Sequence, residues 1–261
     1  MRELIKGVQA HMPFRLLATK YLDLVVRERI NPEISFNYLD LENMAQYDYW
    51  GIAKRLAEAE LKVTFHGPFM DLRPGAIDPK IRQATKDRLQ QAFELAAAFH
   101  PLSVVCHPSF DAKYYVSGKQ LWLEKSIETW NHFLPLAENM NFIIALENVY
   151  ETDPDMLAQL LGALNSPRIR FCFDTGHFNV FSRVPLETWL EILTPYLFQL
   201  HLHDNTGAAD EHFPVGEGNF PFTNFFVLLR KLNISPLVTL ESHSVEDLWK
   251  TLKNIEALAL L

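Results

Sequence analysis

Arg168-Ile-Arg-Phe-Cys-Phe-Asp-Thr-Gly-His177 decides the fold. Side chains two apart in a strand share a face, so Ile169, Phe171 and Phe173 form one apolar row. Arg170, Cys172 and Asp174 form the other. An apolar run that ends in an inward acid just before a Thr-Gly turn fits a strand of a parallel α/β barrel, whose chemistry collects on the turns after the strands. The arrangement recurs along the chain. In 142–147, Phe142, Ile144 and Leu146 face the helices while Ile143, Ala145 and Glu147 face inward. In 236–241, Val238 and Leu240 face out, Thr239 and Glu241 in. By the same rule Lys62, Thr64 and His66 are inward, as are Ser103, Val105 and His107. The third to eighth strands are thus expected to end in polar groups pointing at one axis.

Length agrees with this reading. The chain has 261 residues, 48% of them hydrophobic, close to the roughly 250 typical of one such barrel. The expectation is one α/β domain over 1–261, a single (β/α)8 TIM barrel. Strands are expected at 4–10, 32–36, 61–66, 102–107, 142–147, 168–174, 197–203 and 236–241. Helices are expected over 14–29, 46–60, 78–98, 119–139, 154–163, 185–195, 221–231 and 244–258, the third opened by Asp78-Pro79 as cap and first-turn proline. No apolar stretch reaches the roughly 20 residues of a membrane span and no secretory h-region opens the chain, so a cytoplasmic protein is expected. Cys106 and Cys172 each lie in an apolar run, which favours buried reduced thiols over a disulfide. The net charge of −8 disfavours a nucleic-acid partner, because duplex binding rests on many Lys and Arg contacts to phosphate.

Donors suited to a divalent metal lie at or just beyond the ends of these runs: His66, His107, Glu147, Asp174, His177, His201, Asp210, His212 and Glu241. A lone histidine or glutamate at a strand end is usually structural. Several converging on one mouth are costly unless a cation neutralises them, and nitrogen and carboxylate donors suit Zn, Mn, Fe or Co.

The stretches Phe65-His-Gly-Pro-Phe69, Cys106-His-Pro108, Leu146-Glu-Asn148, Phe173-Asp-Thr-Gly-His177, His201-Leu-His-Asp-Asn205, Asp210-Glu-His212, Gly216-Glu-Gly218 and Leu240-Glu-Ser242 resemble the xylose isomerase-like barrel superfamily. That group includes sugar and sugar-phosphate isomerases and epimerases and the endonuclease IV enzymes, the family 2 apurinic (AP) endonucleases. The resemblance runs from about residue 61 to 242 and implies a site of one to three ions, Zn or Mn above all. In the endonuclease branch it implies three: His66, His107 and Glu147 hold one, Glu147, Asp174, His201 and Glu241 a second, and His177, Asp210 and His212 a third. In the isomerase branch only the second set binds, His177 contacts substrate, and Glu147 and Glu241 take and return a proton.

Two departures bear on the choice. Keto-sugar epimerases of the superfamily commonly carry an Arg a few residues after the seventh-strand His, where this chain has Asp204-Asn-Thr-Gly-Ala-Ala209. The mouth loops offer few cations for a duplex, mainly Arg73, Lys113, Lys119 and Arg183, while Phe69 and Met70 occupy the place of the endonuclease's DNA wedge. The leading expectation is a metal-dependent isomerase or epimerase of a small polyhydroxylated substrate, a sugar or sugar phosphate. The alternatives are an endonuclease IV-like phosphodiester hydrolase and a non-catalytic metal-binding barrel. Among neighbouring residues, His203 is expected beside the site or in the pocket, Glu217 as a partner of a ligating histidine, and His243 at the surface or a cap. His11 ends the first strand; Tyr114, Tyr115 and Trp122 flank the fourth-strand loop as sugar platforms or as cover for the mouth. The residues leave the oligomeric state open.

Overall fold

A computed structural model of the chain describes residues 1–261. Eight parallel strands hydrogen-bond in chain order and close on themselves. They are β1 (Gln9–Pro13), β2 (Asn31–Ser35), β3 (Thr64–His66), β4 (Ser103–Cys106), β5 (Ile143–Glu147), β6 (Ile169–Asp174), β7 (Leu197–Leu202) and β8 (Leu237–Leu240). Gln9 pairs with Thr239 to shut the barrel. Helices fill every connection, so the architecture is the expected (β/α)8 barrel. No helix is long and apolar enough to cross a membrane.

The first strand is displaced from its expected place at 4–10. Leu4–Gly7 is a helical turn, and extended backbone begins only at Val8. The Asn31 side-chain amide donates to the carbonyls of Lys6 and Val8 and pins this junction, so the strand forms beyond it and takes in His11. Asn31 also corrects the third strand. Its Oδ1 accepts from the Lys62 backbone N–H, and Lys62 sits exposed ahead of β3 rather than inside the barrel.

The eight expected helices are present with shifted ends, as at Pro79–Glu94, where the Asp78 side chain accepts from Lys80 N–H. Besides Leu4–Gly7, two short α-helices were not expected, Tyr38–Glu42 and Thr175–Phe181. The second starts directly on Asp174, whose carboxylate accepts from His177 N–H at 2.6 Å and caps it.

Between barrel and helices runs a continuous apolar layer that includes Phe93, Trp122, Trp130, Phe133, Phe142, Phe173, Trp189 and Phe225. Burying side chains of this size contributes on the order of 2 kcal/mol each. Trp122 and Tyr115 belong to this layer, so neither is a sugar platform at the mouth; Tyr114 stays exposed under the Arg73 guanidinium. Cys106 and Cys172 are free and buried, and burial pushes both thiols up.

The barrel interior is built differently. Such lumens are usually filled by bulky aliphatic side chains. Here Glu33, Thr64, Ser103, Gln199 and Thr239 are all buried, beside a small patch of Val105, Ala145 and Cys172.

Candidate metal centre

All nine donors named from the sequence meet at the carboxyl end of the barrel. Glu147, the last residue of β5, lies at the middle and is fully buried. Its Oε2 is 3.1 Å from His107 Nε2 and 3.4 Å from His66 Nε2. Its Oε1 is 3.2 Å from His201 Nδ1 and 3.3 Å from His177 Nδ1. Glu241, just past β8, places Oε1 3.0 Å from the same His201 nitrogen.

Asp174 is held by its neighbours on both sides. Its backbone N–H donates to Asn148 Oδ1, and the Asn148 amide donates back to its carbonyl, which locks the ends of β5 and β6 together. Its carboxylate caps the helix that carries His177. That short helix brings His177 within reach of both Glu147 and Asp210, the latter 3.3 Å from its Nε2.

Asp210 and His212 come from the loop after β7, and Asp204 organises that loop. Buried Asp204 accepts from the backbone N–H groups of Asn205, Gly216, Gly218 and Phe220. Gly216 takes φ +85, and a Cβ on Gly218 would collide with the Asn205 carbonyl, so both glycines are set by this wrap. Glu217 between them faces outward and pairs with Lys250 at 2.7 Å, not with a ligating histidine. Within the loop, His212 Nε2 sits 3.2 Å from Asp210 Oδ2.

Carboxylates and imidazoles in the cluster shift one another in opposite directions. Burial opposes the charged form of His201 and His177, but the surrounding carboxylates outweigh it and hold both well above the ordinary histidine value. Burial likewise opposes charge on His212, which the Asp210 hydrogen bond and Glu241 raise to about 9. Against their own burial, Glu147 and Glu241 are held well below the usual carboxylate range by His201 above all, and Asp210 by His177 and His212. For His107 burial wins, and its pKa falls.

The donor set fits a divalent ion. Five triads of ligand atoms each lie within 4.8 Å of one another: His66/His107/Glu147, Glu147/Asp174/His201, His66/His201/Glu241, Asp174/His177/His203 and His203/His212/Glu241. Glu147 Oε2 and His107 Nε2 are buried without a well-formed hydrogen bond, as is His203 Nδ1. Buried polar atoms left in this state call for a partner, and a cation among nitrogen and carboxylate donors supplies one.

Two contributors were not read from the sequence as parts of the centre. His203, placed only beside the site, lies 3.1 Å from Asp174 Oδ1 and stacks on His212 with ring centroids 3.7 Å apart. Glu33 of β2 was missed altogether and lies 3.0 Å from His201 Nε2. The alternation Asn31, Glu33, Ser35 contained the clue, a carboxylate in a buried mid-strand position.

Above the cluster opens a cavity of about 360 Å³. His11, Phe69, Val149, Tyr150, Phe181 and His243 line it together with seven of the nine donors, and no Lys or Arg does. Phe69 stacks on His107 at 4.5 Å, and Met70 points to solvent. His243 is exposed, as expected, and its ring stacks on His212 at 4.4 Å.

Known proteins resemble this chain in sequence or in structure. An uncharacterized protein of Methanocaldococcus jannaschii, MJ1311, is 26% identical over 200 residues, 74% of this chain and 68% of that protein. The TTHB071 protein from Thermus thermophilus, solved after soaking with ZnCl2, superposes with a TM-score of 0.80 at 26% identity, covering 97% of this chain and 98% of that one. A D-tagatose 3-epimerase-like protein superposes with a TM-score of 0.80 at 22% identity and 97% coverage of both chains. The family model described as xylose isomerase-like TIM barrel matches residues 32–259, from β2 through the last helix, and the chain belongs to that family.

Proposed function

We propose that the chain is a divalent-metal-dependent isomerase or epimerase of a sugar or sugar phosphate. The observation that carries this reading is the cavity: donors for a metal on its floor, aromatic side chains on its wall, and no Lys or Arg. A volume of about 360 Å³ suits a small polyhydroxylated molecule. A duplex would want a cationic surface, which these walls lack. The likeness to a D-tagatose 3-epimerase-like protein agrees with a sugar substrate.

Glu147, Asp174, His201 and Glu241 would hold the ion, Zn or Mn by donor chemistry. The chemistry supplied by a bound ion is stabilisation of negative charge on adjacent substrate oxygens. Proton transfer belongs to the chain. Glu147 and Glu241 approach the same His201 nitrogen, at 3.2 and 3.0 Å, and as carboxylates each can accept a proton from carbon and return it. His177, held by Asn148 O at 3.0 Å from its Nδ1, is placed to bind a substrate hydroxyl. Phe69, Tyr150 and Phe181 supply apolar faces for the sugar ring.

The test is exchange of substrate C–H protons with deuterated solvent across a panel of ketoses and their phosphates. Metal-loaded protein is expected to catalyse it, and Glu147→Gln and Glu241→Gln to slow it by about 10²-fold or more. Exchange that survives both substitutions overturns the proton-transfer roles. A phosphodiester hydrolase is the second reading, favoured by one observation: Asp210 approaches both His177 and His212, at 3.3 and 3.2 Å, the residues to which the superfamily resemblance assigns a third ion. Incision of an abasic-site duplex, lost in Asp210→Ala, would establish it instead.

A further inference from the structure

We propose that Glu33 is a positioning residue for the metal centre: it holds His201 with Nε2–H bonded away from the mouth, so that Nδ1 is the nitrogen offered to the ion. The inference rests on the reading of His201 as a ligand and is independent of whether the reaction is isomerisation or hydrolysis.

Glu33 is fully buried on β2, in a lumen where an aliphatic side chain would be the ordinary filling. A carboxylate in that position is costly unless its lone pairs are met. Its Oε2 accepts from Thr64 Oγ1 at 3.1 Å, Thr239 Oγ1 at 3.0 Å and Gln199 Nε2 at 2.5 Å. The orientation of the Gln199 amide is fixed in turn, because its Oε1 accepts from Ser103 Oγ at 2.6 Å. Three donors thus engage one oxygen. The other, Oε1, makes no well-formed hydrogen bond, and the donor nearest to it is His201 Nε2 at 3.0 Å. Every atom that could reorient the carboxylate is tied to a different wall of the barrel: β3, β4, β7 and β8.

His201 therefore has two unlike sides. Nε2 faces Glu33 at 3.0 Å, with the Gln199 amide nitrogen farther off at 3.4 Å, while Nδ1 faces Glu147 and Glu241. A neutral imidazole carries one proton, and a carboxylate acceptor at Nε2 places it there. Nδ1 is then a lone-pair donor turned toward the other ligands, with its basicity raised through the ring. An amide at position 33 loses this control, since its NH2 can point at Nε2 and favour the tautomer whose Nδ1 is protonated.

Zn2+ affinity of the full chain, measured by competition with a chromophoric chelator, tests the proposal in wild type, Glu33→Gln and Thr64→Val. Thr64→Val removes one of the three donors to Oε2, the oxygen turned away from His201, and leaves Gln199 and Thr239 to hold the Glu33–His201 contact in place. Glu33→Gln is expected to bind about 10- to 100-fold more weakly than wild type, with Thr64→Val within about twofold. Equal affinity in folded Glu33→Gln, or an equal loss in both variants, overturns the inference and leaves the proposed function standing. Failure of wild type to bind Zn2+ or Mn2+ overturns both. Should Glu33→Gln not fold, 15N spectra of the zinc-loaded wild type decide: a protonated His201 Nε2 supports the proposal, and a protonated Nδ1 sinks it.

Discussion

Glu151 lies four residues beyond Glu147 and does something different. Burial raises its carboxyl to about 7, with one oxygen accepting from Val149 N–H at 2.7 Å and the other unpartnered. A carboxyl raised in the fold stabilises fully below its unfolded value near 4.5 and loses that contribution as pH rises through about 7. Wild type should therefore lose on the order of 1–3 kcal/mol relative to Glu151→Gln between pH 5 and 8. Melting curves at the two pH values check this; a constant difference refutes it. Gly176 carries a second expectation. A Cβ there would collide with the His203 ring at Cε1, so Gly176→Ala must displace the imidazole or the short helix. A loss of about 1–3 kcal/mol in stability is expected, measured by denaturant titration. These residues also mark what the sequence could disclose. Asp174, Glu147 and Glu241 were legible because each breaks an apolar alternation at a strand end. Glu33 was not, since a carboxylate inside a five-residue strand announces no partner until Thr64, Gln199 and Thr239 are placed around it.

At the scale of elements, the loop after β7 is held less by its own composition than by one buried acid. Asp204 gathers four backbone N–H groups, each a hydrogen bond to a charged group worth about 1.5–3 kcal/mol. Asp204→Ala should loosen the segment that carries Asp210 and His212 while leaving Glu147, Asp174, His201 and Glu241 in place. Elemental analysis is then expected to show fewer bound ions than in wild type with at least one retained, and hydrogen exchange to quicken across 205–219. Retention of every ion would show that the loop is fixed by other means. Element boundaries explain the errors of the sequence reading as well. Leu4-Ile-Lys-Gly7 has the apolar content of a strand, yet it has no neighbour to pair with and closes as a turn under Asn31. The helix Thr175–Phe181 was overlooked because its N-cap, Asp174, is itself a strand end and candidate ligand.

For the molecule as a whole, protons would compete with the proposed metal ion for the same cluster, and the sign of the pH effect separates them. His177, His201 and His212 are raised, so without metal their contribution is complete below the usual 6.5 and fades as pH climbs through about 9 for His212. Glu147 and Glu241 are depressed, so theirs is present above 4.5 and fades as pH falls. Chelated protein should melt highest between about pH 4.5 and 6.5 and lower toward pH 9. Metal requires deprotonated imidazoles, so the rise in Tm on adding Zn2+ should grow over the same climb. Scanning calorimetry with and without chelator checks both slopes, and parallel slopes would contradict the metal reading.

The bond from Thr239 to Glu33 joins residues 206 apart in sequence, and that from Gln199 to Glu33 joins residues 166 apart. Contacts so remote form late, after the loop-closure entropy of nearly the entire chain has been overcome. A nascent or truncated barrel ending before β7 could assemble His66, His107 and Glu147 but would lack His201 and the Gln199 and Thr239 donors that hold Glu33 toward it. Capture of the ion proposed to sit on Glu147, Asp174, His201 and Glu241 would thus report ring closure, and the moment at which refolding chain first withdraws zinc from a fluorescent indicator would time the last step of folding.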